Sequence, residues 1–398
     1  MTLSALVLAA VVVVASLLAW PRVANAMLWR ATITPLASII GSGFLVLGPV
    51  LDVNYGGYAP LVMLALCAMA YLFGGAIRYN IAAMESVSTP SVVLDWLEAV
   101  ASAVLAFAFV ISVAYYLNLF GAFGVRLSAL DDRYHAKLLT TAVFLFILFI
   151  GWTRGFRALE RLEQIAVGLK LAIIAGLVVG LAVHFGDTAR IGALQFHPIR
   201  VDAWAAVTLA AGLLVTVQGF ETSRYLGTTY DAGLRIRSMR LAQGVATVIY
   251  VVYLVLLTYA VEMDAGTLSE TSIIDMMQVV APILPALLIA AALGAQFSAA
   301  IADTAGSGGL IEELTKGRIP SKLAYALLVG VGLLLTWTAN IFEIISYASR
   351  AFAAYYAIQC AIATLHARAR GDTARGVVFA LLAAIGAGVA VFGTAVEG

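Results

Sequence analysis

The chain has 398 residues, of which 63% are hydrophobic and 11% charged, with a formal net charge of +1 and a mean hydropathy of +1.01. Soluble domains carry roughly 25% charged residues and must wet their surface, so a soluble globule is excluded and a polytopic membrane protein is required. The near-neutral sum removes any electrostatic case for nucleic acid, and Cys67 and Cys360 both lie in apolar runs, away from any disulfide or zinc pattern.

Apolar runs of spanning length predict twelve helices, near 3–20, 31–51, 59–77, 95–120, 138–152, 162–184, 203–225, 241–261, 279–305, 322–338, 342–365 and 376–394. The fold class is therefore all-α, a membrane protein of about twelve transmembrane helices. The first run ends in Ala24-Asn25-Ala26, similar to a signal-peptidase site. It lacks a basic start and is long for a signal peptide, so residues 1–26 are read as a retained extra helix. His135, His184, His197 and His366 fall in or beside connections at no metal-ligand spacing, as helix-end or loop histidines do.

The basic residues sort onto alternate connections. One set holds Arg22, Arg30, Arg78, Arg154, Arg157, Arg161, Arg224, Arg235, Arg237, Arg240, Lys316, Arg318, Lys322, Arg368, Arg370 and Arg375; the other holds only Arg126, Arg133, Lys137, Arg190 and Arg200. The richer side should face the cytoplasm of an inner membrane. Both termini then face outward, as does the acidic connection with Glu262, Asp264, Glu270 and Asp275.

Two of the helices carry breaks. The second reads Pro35-Leu36-Ala37-Ser38-Ile39-Ile40-Gly41-Ser42-Gly43-Phe44, with Pro49 beyond. Glycine costs a helix roughly 1 kcal/mol relative to alanine, and backbone freed in hydrocarbon is tolerated only where it lines a protein-enclosed or watery cavity. The pattern suits either a binding site or a small-residue packing seam. The seventh helix contains Gln218-Gly219-Phe220-Glu221, again glycine before phenylalanine, 176 positions after Gly43-Phe44. The two breaks are five helices apart, an odd offset that gives the halves opposite orientation. Paired discontinuous helices in an inverted repeat point to the midplane site of a secondary transporter.

At these motifs the chain resembles the amino acid-polyamine-organocation (APC) superfamily. Ile40-Gly41-Ser42-Gly43-Phe44 is similar to the motif on its first core helix and Gly219-Phe220-Glu221 to that on its sixth, with Gly168-Leu169-Lys170-Leu171 and Gly317-Arg318-Ile319-Pro320 as further matches. The resemblance covers about 31–366 and implies the leucine-transporter (LeuT) fold. That fold has five plus five inverted helices with discontinuous first and sixth core helices, here 27–184 and 202–366, followed by a last helix in 375–398. Two features depart from the family. The stretch Asp231–Arg240 keeps basic residues but lacks its Asn-Pro and Ile-Pro signature, and the spare helix precedes the core.

Lys170, Glu221, Asp303 and Arg350 fall at membrane depth, where each costs roughly 2.5–3.5 kcal/mol on insertion scales, so pairing or function is expected of them. The resemblance places Lys170 where sodium-coupled relatives hold an ion and proton-coupled relatives a lysine. A desolvated ammonium there can release and regain a proton through the cycle. Ser298 aligns with one hydroxyl of that ion site and Ala299 with its neighbour, which favours the proton over sodium. Asp303 is expected either to relay the proton of Lys170 or to neutralise Lys170 or Arg350 in a static pair. Glu221 resembles a family glutamate tied to coupling; alternatively it caps the freed amides of its own helix. Asp95, Glu98 and Glu343 begin helices and suit the local dipole there.

The helix ends at Gly41-Ser42-Gly43 suit a carboxylate, and unwound carbonyls near Gln218-Gly219-Phe220 suit an ammonium. Tyr115, Tyr116 and Asn118 line the cavity or pack, and Phe220 gates it. The expectation is a proton-driven transporter of an amino acid or related amine, with no cofactor, in the lipid bilayer. The alternatives are a sodium-coupled transporter of another small solute and a receptor or scaffold without flux. An enzyme is not expected: no His-Glu-x-x-His pattern occurs, and no serine motif is joined by a histidine at membrane depth. The sequence leaves the oligomeric state open.

Overall fold

The computed structural model describes residues 2–41, 43–84, 92–153, 160–227, 229–262 and 268–396, with side chains at all of these except 160–165. Ser42, Arg154, Arg157 and Asp264 lie outside the described residues, as does the side chain of Arg161. No strand occurs among the described residues. The helices are α1 Leu3–Ala19, α2 Pro21–Ala24, α3 Met27–Ile39, α4 Gly43–Tyr55, α5 Ala59–Met84, α6 Val92–Val125, α7 Arg133–Thr153, α8 Glu160–Arg190, α9 Ala203–Gly212, α10 Ala232–Thr258, α11 Ser272–Val280, α12 Leu284–Leu314, α13 Ser321–Thr338, α14 Ile341–Ala369 and α15 Thr373–Phe392.

Eight stretches are each long and apolar enough to cross a membrane unaided: Gly43–Met84, Val92–Val125, Arg133–Thr153, Ala166–Arg190, Ala232–Thr258, Leu284–Leu314, Ser321–Thr338 and Thr373–Phe392. The other expected spans are short, broken or more polar. Helix α1 has 17 residues. Helix α3 stops at the first break. Helix α9 gives way to 3-10 turns over Leu214–Val217 and Phe220–Leu226, so the predicted span 203–225 is α-helical only in its first part. Helix α14 carries Ser346, Ser349, Tyr355, Tyr356 and Gln359, all buried inside the bundle.

The polar connections supply the caps that start these helices. Asp202 accepts from the Ala205 amide, Asp231 from Leu234 and Asp372 from Arg375. Asn340 and Glu343 form a reciprocal capping box at the start of α14, so Glu343 has the structural role expected of it. At the centre α14 packs on α5, α6, α15 and the 3-10 turns, α6 packs along α12, and α10 packs on α3 and α5. The extra helix α1 lies on α8. Val7 and Val11 meet Gly176 and Gly180 there, where a Cβ on Gly176 would come within 2.6 Å of the Val11 side chain.

Candidate functional site

The two breaks lie against each other. Helix α3 ends at Ile39, with Ile40 at φ −83° and ψ 62°, and α4 restarts at Gly43. Across from it the 3-10 turn ends at Val217, Gln218 is extended, and Gly219 takes φ 117°. This left-handed conformation favours glycine. A Cβ on Gly219 would also sit 2.4 Å from the Ser38 Cβ and 2.7 Å from the Ile39 nitrogen. Gly43 is as tightly held, since a Cβ there would come 2.4 Å from the Tyr115 hydroxyl and 3.3 Å from Thr216. Both glycines are thus needed for one broken helix to approach the other. The hydroxyl of Tyr250 lies 2.8 Å from the Ile39 carbonyl oxygen and 2.7 Å from that of Thr216, tying a freed carbonyl of each break to α10.

Glu221 is fully buried. Its Oε2 accepts from the Gly219 amide and from the Tyr356 hydroxyl, each at 2.9 Å. The carboxylate therefore does cap its own break, and it is tied to α14 as well. Its Oε1 is buried with no hydrogen-bond partner among the described residues, as is Oε1 of Gln218. The Gln218 Nε2 donates to the Tyr116 hydroxyl at 3.0 Å. Phe220 stacks on Tyr356, ring centroids 5.0 Å apart. Ile40, Tyr115, Tyr116, Gln218 and Phe220 are all buried; Tyr115 borders Gly43 and Tyr116 borders Gly41 at the first break, and Gln218 and Phe220 flank Gly219 at the second. Asn118 bonds instead to Thr336 of α13 at 2.9 Å. Buried acceptors without donors are costly in isolation, and two of them beside a helix break suit a cationic or amine group.

Lys170 is buried on α8, and its Nζ donates to the Ala37 carbonyl oxygen at 2.8 Å, in the last turn of α3. Carbonyls there lack helical partners and carry the negative end of the helix dipole. The lysine borders two narrow cavities of about 10 Å³ each. One is shared with Ala37, Ser38, Ser298 and Ala299 and the other with Gly41, Phe44 and Ile174. Asp303 accepts a hydrogen bond from the Ser112 hydroxyl of α6. Arg350 departs from expectation: it is exposed, and its Nε donates to the Ala390 carbonyl oxygen of α15 at 2.8 Å rather than pairing with Asp303. Its long side chain reaches past the bundle edge to the end of the neighbouring helix, so no buried counterion is needed.

Several further residues belong here that the sequence reading passed over. Tyr250 and Tyr356 look like ordinary aromatics of apolar runs, and only their hydroxyl partners distinguish them. Asp52 is also buried in α4 but stands nine residues beyond Gly43, about 13 Å along the helix, and so is not placed at the breaks; an acid directly continuing an apolar run was the available signal for it. Below the breaks, Arg224 pairs with Glu98 at 2.5 Å and donates to Gln359 Oε1 at 2.6 Å. Asn80 donates to the same Gln359 oxygen at 2.9 Å. This network joins α5, the start of α6, the second 3-10 turn and α14 on the basic side of the bundle. Glu98 lies beyond the first turn of α6, where only Asp95 stands, so this pairing replaces the helix-start role expected of it.

Comparison with known proteins decides what kind of molecule carries these paired breaks. The sequence pattern of a family described as an APC superfamily transporter matches residues 21–393. The chain belongs to the APC transporter superfamily. It is also 40% identical over 389 residues to a protein of Aquifex aeolicus (strain VF5) described as uncharacterized, covering 95% of this chain and 93% of that one. Membership makes the chain a multi-pass membrane transporter with a small-molecule substrate and a lipid environment, and points away from an enzyme. The matched region begins after α1 and includes both breaks and all the helices that pack on them.

Proposed function

We propose that this APC transporter couples proton movement to the uptake of an amino acid or related amine by alternating access in an inner membrane. The core is taken as two inverted five-helix repeats, 27–184 and 202–366, with 1–26 an added helix and 375–398 the last one, and with both termini outside. The observation that carries the coupling is the hydrogen bond from Lys170 Nζ to the Ala37 carbonyl oxygen. As an ammonium, Lys170 neutralises the end of α3 and ties it to α8; as a neutral amine it loses most of that attraction. Protonation at this position therefore biases how the first break sits against α8 and α12, a differential interaction of the kind coupling requires. Asp303, on α12 with Ser298, supplies a carboxylate on the cytoplasmic side of that cavity for proton exchange.

The substrate's carboxylate is assigned to the amides at Gly41-Ser42-Gly43 and its ammonium to the carbonyls and side-chain oxygens of Gln218, Gly219 and Glu221. The unpartnered oxygens of Gln218 and Glu221 support this polarity, and Tyr115, Tyr116 and Phe220 line the locus. No cofactor takes part, and Ser298 beside Ala299 offers a sodium ion one hydroxyl where two are wanted. In proteoliposomes, an inward proton gradient should drive uptake of one or more labelled amino acids from a panel, and Lys170→Ala should leave residual flux that ignores pH. Uptake that follows sodium and is indifferent to pH would overturn the coupling assignment. Ligand-dependent thermal stabilisation without flux would favour a receptor.

A further inference from the structure

Helices α5, α10 and α15 meet at the basic end of the bundle around a cavity of about 430 Å³, away from both breaks, lined by Arg78, Arg240, Arg375, Tyr71, Tyr79 and Leu72 among others. Arg78 is only 7% exposed. Its guanidinium stacks 4.5 Å over the Tyr71 ring and donates to Gln243 Oε1 and to the Tyr71 carbonyl oxygen. Gly74 and Gly75 leave room for it, since a Cβ on Gly74 would stand 3.0 Å from one of its nitrogens. The buried cation is thus held in place by neutral groups. Arg240 and Arg375 approach the cavity from the facing helices and are exposed. Among the described residues the one carboxylate that engages any of the three is Asp372, 3.2 Å from Arg375. The cavity therefore has excess positive charge and guanidinium donors suited to a phosphate.

Its rim is apolar and exposed. Tyr71, Leu72 and Val378 are 43%, 45% and 49% exposed. Arg78 lies nineteen residues along α5 from Ala59, which at 1.5 Å per residue is about 28 Å, close to the full thickness of a bilayer's apolar core. An arginine cluster at headgroup depth above an apolar wall fits an amphiphile with an anionic head, and basic pockets between helices on the cytoplasmic side bind such heads. We propose that this cavity is a binding site for the headgroup of an anionic phospholipid of the inner leaflet.

The test is native mass spectrometry on the full-length protein in mild detergent, titrated with phosphatidylglycerol or with phosphatidylcholine of the same acyl chains. Phosphatidylglycerol should be retained in preference. The double substitution Arg240→Ala with Arg375→Ala should reduce that preference on the order of tenfold or more, while Arg318→Ala, on the same face but outside the cavity, should not change it. Arg240→Gln alone, with a smaller loss, serves where the double variant melts earlier in phosphatidylcholine. Equal retention of the two lipids overturns the proposal, as does an undiminished preference in the variants. An equal loss with Arg318→Ala reduces the effect to general surface charge and overturns it too. Displacement by millimolar inorganic phosphate would show a site for free anions instead of lipid and would also overturn it.

Discussion

At the scale of single residues, the site is held by close approach more than by charge. Gly43 sits where any Cβ would stand 2.4 Å from the Tyr115 hydroxyl, and overpacking of this kind costs typically about 1–3 kcal/mol. Gly43→Ala should lower the melting temperature and the transport rate together. Adding Tyr115→Phe removes the colliding oxygen but not the 3.3 Å contact with Thr216, so stability should recover in part, which a thermal-melt double-mutant cycle reads directly. No recovery would mean that the strain lies in the backbone. Gly219 admits no such rescue, because a Cβ there meets the Ser38 and Ile39 backbone as well as a side chain. The glycines were legible in the sequence because glycine beside a bulky aromatic in an apolar run marks either backbone freedom, as at Gly219, or close approach, as at Gly43. The tyrosine hydroxyls were not, because whether Tyr250 merely packs or bridges two carbonyls depends on which helices lie opposite it.

At the scale of elements, one break was plain and the other was half hidden. Pro35, Gly41, Gly43 and Pro49 announce the first. The second has only Gly212 and Gly219, and its apolar residues continue past the end of the α-helix at Gly212, so hydropathy alone reads one span over 203–225. Tertiary partners take over the backbone groups at the end of α9: the Thr394 amide donates to the Thr208 carbonyl oxygen at 3.0 Å, and the Val215 amide donates to the Ser349 hydroxyl at 2.9 Å. Below this helix the Glu98–Arg224 pair joins α6 to the 3-10 turn, and under the proposed alternating access such a contact on the basic side has to open when that side opens. Removing one member of a poorly solvated pair is worth a few kcal/mol. Glu98→Ala should therefore shift the population inward and raise maleimide labelling of a Ser223→Cys variant, at a position fully buried beside Arg224, by roughly tenfold or more. Labelling unchanged by Glu98→Ala would make the pair a static brace.

At the scale of the whole molecule, the class of protein followed from composition, because 63% apolar residues have no other solvent to occupy. The four charges at membrane depth were only partly legible: Lys170, Glu221 and Asp303 are buried, whereas Arg350 reaches the edge of α15. Helical position along the sequence gives depth but not the direction in which a side chain leaves the bundle. The sorting of basic residues sets a sharper question, since it leads to an expectation of which end of every helix faces the cytoplasm. Arg318 stands on the richer side and Arg190 on the poorer, and both are exposed. The native cysteines, Cys67 at 6% and Cys360 at 0% exposure, should stay silent toward an impermeant maleimide. In intact cells Arg190→Cys should then label at once, and Arg318→Cys only after the membrane is opened. The reverse pattern would invert the molecule. It would place the Arg78 cavity in the outer leaflet and the Glu98–Arg224 closure at the outer mouth, while leaving the contact between the two breaks unchanged.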